Sequence, residues 1–144
     1  MLGEPMNPSE LAAQLSPGRF GQSKIELLQS LVLIGEGAVK RRTPVRKGTL
    51  RRSITGRIIT PGVLGAVGTN LSYGQSVHDG TRAHVITPRS KKALYWSGAA
   101  HPVRSVMHPG SKAQPFLTDG LNDARPEMER AAAAAGETFF ASIS

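Results

Sequence analysis

The chain has 144 residues, with 18 Lys+Arg against 10 Asp+Glu for a formal charge of +8, 39% apolar residues, 5% aromatic and no cysteine. Those figures predict one domain with a core of its own, and they exclude disulfides, thiolate nucleophiles and cysteine zinc sites. No apolar run nears the ~18 residues of a membrane span, and Met1-Leu2-Gly3-Glu4-Pro5 has neither the basic nor the apolar part of a leader, so the reading is a soluble protein made in a cytoplasm.

In chain order, residues 1–22 read as an N-terminal arm. Pro8 to Leu15 predicts a short helix with Pro8 in its first turn, stopped by Ser16-Pro17-Gly18. Residues 23–42 are the clearest amphipathic helix. Ser23 and Glu26 have capping-box spacing, and Ile25, Leu28, Val32 and Val39 share a face. Gly35 and Gly37 predict close packing or a bend, and Lys40-Arg41-Arg42 suit the negative end of the helix dipole, with Pro44 as the stop. Residues 50–60 read as a strand with a bulge at Gly56, Pro61-Gly62 as its turn, and Val63 to Val67 as the return strand. Tyr73 to Val77 reads as a third strand, closed by a turn at Asp79-Gly80. Residues 82–114 form a long loop-rich insert, with short strands at 85–88, 93–96 and 103–107 around the basic turn Arg89-Ser90-Lys91-Lys92. Residues 115–143 return to helix, with a kink or restart expected at Pro126. The fold class is α+β: a long N-terminal helix and a C-terminal helix packed on one face of a small antiparallel sheet, in a single domain over 23–144.

The charge is segregated. Residues 1–40 net −1; residues 41–112 hold thirteen Lys/Arg against Asp79 alone, net +12; residues 113–144 net −3. A basic middle between acidic ends predicts an anionic partner: nucleic acid, an acidic protein surface, or another copy of the chain.

Motifs for chemistry are missing. His78, His84, His101, His108 and Asp79 have no metal-ligand spacing, and the glycines fit no phosphate-binding loop. A nuclease would need acid, base and phosphate clamp; His84, His101 and His108 are its only histidine candidates within the insert, and no motif supports them. Tyr73 and Tyr95 read equally well as strand-core residues and as stacking platforms for bases, and Trp96 reads as a core or interface anchor more than as such a platform. No enzyme, cofactor or metal is expected.

Four segments occur in a fixed order. They are Arg42-Thr43-Pro44-Val45-Arg46-Lys47-Gly48-Thr49-Leu50-Arg51-Arg52-Ser53-Ile54, then Gly68-Thr69-Asn70-Leu71-Ser72-Tyr73-Gly74, then Val77-His78-Asp79-Gly80-Thr81-Arg82, then His108-Pro109-Gly110-Ser111-Lys112-Ala113-Gln114-Pro115-Phe116-Leu117. Together they resemble the tail-completion or neck family of long-tailed bacteriophages, the head–tail joining, minor tail components of siphoviruses. The resemblance spans roughly residues 23–140. Three positions depart from its pattern: Lys47 stands where Asp or Thr is usual, and His78 and Asp79 stand where an acidic residue and an aromatic precede Gly-Thr.

The resemblance implies a scaffold defined by Pro44, Gly48, Leu50, Ser53, Gly68, Asn70, Tyr73, Gly80, Thr81, Pro115, Phe116 and Leu117. Pro44 and Gly48 are expected to steer the long helix into the sheet, Gly80 to take a positive φ, and Pro115 to open the last helix. It further implies a virion protein at the head–tail interface, a hexameric ring of the chain with itself, whose neighbours are a connector or stopper and a tail-tube or tail-terminator protein. No membrane is involved. Arg82, Arg89, Lys91, Lys92 and Arg104, on the insert, are the candidate subunit or partner contacts. The alternative is a basic nucleic-acid-binding module, for which phage DNA is the passing partner.

Overall fold

The structure, a computed structural model, describes residues 8–14 and 17–143. Its elements are α1 (Pro8–Gln14), α2 (Pro17–Arg42), α3 (Thr49–Ser53), β1 (Thr55–Thr60), β2 (Leu64–Gly68), α4 (Gly74–Asp79), β3 (His84–Ile86), β4 (Val106–His108) and α5 (Phe116–Ile143). The chain is α+β, with long helices near both ends and small antiparallel strand pairs between them. It divides into two compact units, residues 1–71 with 116–144, and residues 72–115.

In the first unit α2 and α5 run antiparallel, roughly 39 and 42 Å long at 1.5 Å per residue. Phe20 meets Phe139 edge-on at one end of the pair, with ring centroids 5.5 Å apart. At the other end Arg42 Nε donates to Asp123 Oδ2 at 2.5 Å. Small residues set the crossing. A Cβ on Gly120 would lie 2.6 Å from the Val39 Cα, and one on Gly35 would lie 2.9 Å from the Met128 Cε. Ala38, Val39, Leu50, Ile54, Phe116, Ala124 and Phe139 are buried, and each large one contributes on the order of 1.5–3 kcal/mol by leaving water.

The β1–β2 hairpin packs on α2. Cβ atoms on Gly56 and Gly65 would both overlap Val32, so those two glycines let the helix seat against the strands. The ladder pairs Gly56 with Val67 and Ile58 with Gly65, and it shifts register between Ile58 and Thr60. The bulge therefore lies at Ile59, not at Gly56 as expected; Gly56 is small because Val32 faces it.

Several other expectations are corrected. The long helix begins at Pro17, so residues 17–22 are its first turns rather than part of an arm. Ser23 is interior to α2, and its hydroxyl donates to the Arg19 carbonyl in place of a cap. Of the expected stop Ser16-Pro17-Gly18, Ser16 lies outside the described residues, as does Leu15, while Pro17 and Gly18 open α2 instead of ending a helix. Leu50 to Ser53 is helix instead of strand: Gly48 takes φ 74°, and the Arg52 N–H returns to the Gly48 carbonyl at 3.0 Å to close a turn. Pro44 and Gly48 thus lead first into α3. Tyr73 to Val77 is not a strand, since Gly74–Asp79 is helical. Residues 93–96 contribute a single bridge, Leu94 to Val103. The α5 helix neither stops nor restarts at Pro126, which sits on its exposed side where water can take the freed carbonyl.

Candidate functional site

The residues of the resemblance gather at two backbone junctions, one in each unit. The first joins α3 to the end of β2. The Ser53 hydroxyl donates to the Leu50 carbonyl at 2.7 Å. Its single proton is thereby committed, so the Thr69 hydroxyl, 2.6 Å away, donates to Ser53 Oγ and accepts the Leu71 N–H at 3.1 Å. This directed chain ties Leu50 and Ser53 of the first motif to Thr69 and Leu71 of the second. Leu50 and Phe116 are buried and Leu117 half-buried, while Asn70 is exposed. Gly68 has open space where a Cβ would stand. Pro115 directly precedes α5.

The second junction is the neck of a long hairpin made by residues 81–111. Thr81 and Ser111 exchange backbone hydrogen bonds at 2.9 and 3.0 Å, and their hydroxyls lie 3.0 Å apart. Gln114 N–H donates to the Val77 carbonyl at 3.0 Å. Two glycines allow this approach. Gly80, at φ 75°, leaves no room for a Cβ, which would stand 2.6 Å from the Ser111 carbonyl oxygen and 2.7 Å from the Ala113 nitrogen. Gly110, at φ 88°, is closed in the same way by the Thr81 carbonyl oxygen. Gly80 and Thr81 belong to the third motif segment and Gly110, Ser111 and Ala113 to the fourth; that the two segments pair with each other is not expected from sequence. Both glycines precede a hydroxyl residue, but a pairing across thirty positions leaves no local pattern.

Above the neck, β3 and β4 pair His84 with His108, Val85 with Met107 and Ile86 with Val106. The two imidazoles stack with centroids 5.1 Å apart. His84 Nδ1 donates to the Arg82 carbonyl at 2.9 Å, and Gly110 N–H donates to His108 Nδ1 at 3.0 Å, so the same ring nitrogen is a donor in one histidine and an acceptor in the other. His101 is exposed and has no described hydrogen bond or ring contact with either. No group of three or more His, Asp or Glu positioned for a metal occurs among the described residues.

Arg82, Arg89, Lys91, Lys92 and Arg104 are all exposed on this unit. Tyr95 and Trp96 are exposed as well, 69% and 48%, so the core reading of Trp96 and the strand reading of Tyr95 give way. Tyr73 is likewise exposed. Gly74 alone is buried between Ser72 and Pro115, a stretch described throughout. A two-stranded hairpin without a core is marginal by itself.

No helix of the described residues is long and apolar enough to cross a membrane. No protein-family model, curated protein or solved structure matches the chain.

Proposed function

We propose that the protein is a structural component of a phage virion, placed at the head–tail junction, where it forms a ring that completes the tail or neck and joins it to the head. The reading starts from the ordered motifs. The observation that carries it is their placement: they shape backbone at the Leu50–Ser53–Thr69–Leu71 chain and at the Gly80–Gly110 neck, as scaffold residues do. The coreless basic hairpin, with Tyr95 and Trp96 exposed, suits a subunit that is finished by its neighbours. In such a ring one face meets a different face of the next copy, and the basic middle of one copy lies against the acidic α5 of another. Connector or stopper and tail-tube or tail-terminator proteins would sit above and below. The test is a nonsense mutation in the phage that encodes the chain. Filled heads and free tails that fail to join are expected; normal joined, infectious particles overturn the reading.

The hairpin favours a second reading, a DNA-binding module. Six Lys/Arg stand against Asp79 between Ser72 and Pro115, with Tyr95 and Trp96 exposed among them, and a basic two-stranded ribbon fits a major groove. Phosphate contacts would give duplex affinity that falls steeply with salt. Absence of binding at low salt removes this reading.

A further inference from the structure

The two edges of the β1–β2 hairpin are not alike. Gly56 N–H, on β1, points away from β2 and donates to Glu36 Oε2 at 2.7 Å. The β1 edge is therefore capped by a carboxylate from α2, and it is also bent by the bulge at Ile59 and charged by Arg57. Because Gly56 N–H faces outward, Gly56 and Val67 are a non-hydrogen-bonded pair, and so are Ile58 and Gly65. Val67 and Gly65 thus present their N–H and C=O groups to the far edge of β2. No described residue pairs with them. Leu64-Gly65-Ala66-Val67-Gly68 holds no charge, proline or bulge, none of the features that protect an exposed edge.

Beside that edge runs a groove of about 350 Å³ whose lining includes Leu28, Leu31, Val67, Leu121 and Met128 and no polar side chain. The same sequence carries a hairpin in need of cover. Val85 and Met107, paired across β3 and β4, are 55% and 65% exposed on one face.

We propose that the β2 edge and its groove receive the β3–β4 hairpin of a second copy, which adds a strand to β2 and lays Val85 and Met107 over the groove. Charge favours a second copy as the occupant. The hairpin unit is strongly basic, whereas α5, which forms one wall of the groove, has five carboxylates against Arg125 and Arg130. Main-chain pairing supplies affinity and the groove supplies register, as in strand addition generally. The contact is head-to-tail, since edge and hairpin are different surfaces, and so it propagates around a ring. This inference rests on the ring reading.

The absence of cysteine makes the test direct. Ala66→Cys and Met107→Cys proteins are mixed and treated with a short bismaleimide, with Leu33→Cys, exposed on α2, replacing Ala66→Cys as control. A heterodimer yield several-fold above the control supports the proposal. Val67→Pro removes an N–H that the chain's own ladder does not use. It is expected to leave helical circular dichroism intact and abolish the oligomers seen by native mass spectrometry. If it unfolds the chain, the crosslink yield decides alone. Oligomers that persist in folded Val67→Pro, crosslinking no better than control, monomer at every concentration, or protection of the β2 edge by the chain's own N-terminal residues each overturn the proposal. None of these bears on the head–tail reading, which the nonsense mutant decides.

Discussion

The carboxylate of Glu36 accepts the backbone N–H of Gly56 at 2.7 Å and an ion pair from Lys40 at 2.5 Å, so one side chain of α2 closes the outer edge of β1. Glu36→Ala leaves that N–H unpaired beside the helix. Hydrogen bonds to charged groups are worth about 1.5–3 kcal/mol, but the carboxylate is partly open to solvent. A loss of about 1–2 kcal/mol is expected from urea unfolding. Glu36→Gln, which retains an acceptor, should lose less.

The same contacts make stability depend on pH. The Lys40 ammonium, then the Gly56 N–H, holds the Glu36 carboxyl below its ordinary value. Asp123 is also held low, chiefly by its hydrogen bond from Arg42. A lowered folded value means that the contribution is complete above the ordinary carboxylate range and is lost as pH falls through the lowered one. Thermal melts from neutral to acid pH should therefore show a falling Tm, and Glu36→Gln should flatten the fall. An unchanged pH profile in that variant would remove Glu36 as its source.

Glycines in helices separate into those that packing requires and those it does not. Gly120 lies against the Val39 backbone, which has no flexible end to move aside. Gly120→Ala must spread α2 from α5 and should cost about 1–3 kcal/mol. Gly136, in the same helix, has nothing within 4 Å of its would-be Cβ. Gly136→Ala should stabilise by about 0.5–1 kcal/mol through helix propensity. Urea midpoints moving in opposite directions are the expected result.

How far the sequence reaches follows from the same residues. The faces of α2 and α5 are readable because helical periodicity persists over 26 and 28 residues. The start of α2 is misread because Pro17-Gly18 looks like a stop and Ser23 with Glu26 like a cap, although Gly18 simply faces open space and Ser23 lies inside the helix. Leu50 and Ile54 are both buried, and a spacing of four satisfies strand and helix periods alike. Only the positive φ of Gly48 and the Arg52-to-Gly48 bond decide for α3. The basic residues of 82–104 are legible as a charged surface. The open edge of β2 is not, because it depends on which way the Gly56 N–H points.

The neck of the hairpin should fail independently of the helices. Gly80 and Gly110 each combine a positive φ with a neighbouring backbone that a Cβ would strike. Alanine at either position therefore meets both strain and overlap. The bonds between Thr81 and Ser111 and from Gln114 to Val77 are the ones displaced. None of the buried side chains of α2 and α5 lies between Ser72 and Pro115. Gly80→Ala and Gly110→Ala should thus abolish amide hydrogen-exchange protection at Thr81, Ser111 and Gln114, with little change at Val39 or Ala124. The midpoint of helical unfolding should stay near that of the parent chain. Loss of protection across α2 and α5 in either variant would show instead that the two units unfold as one.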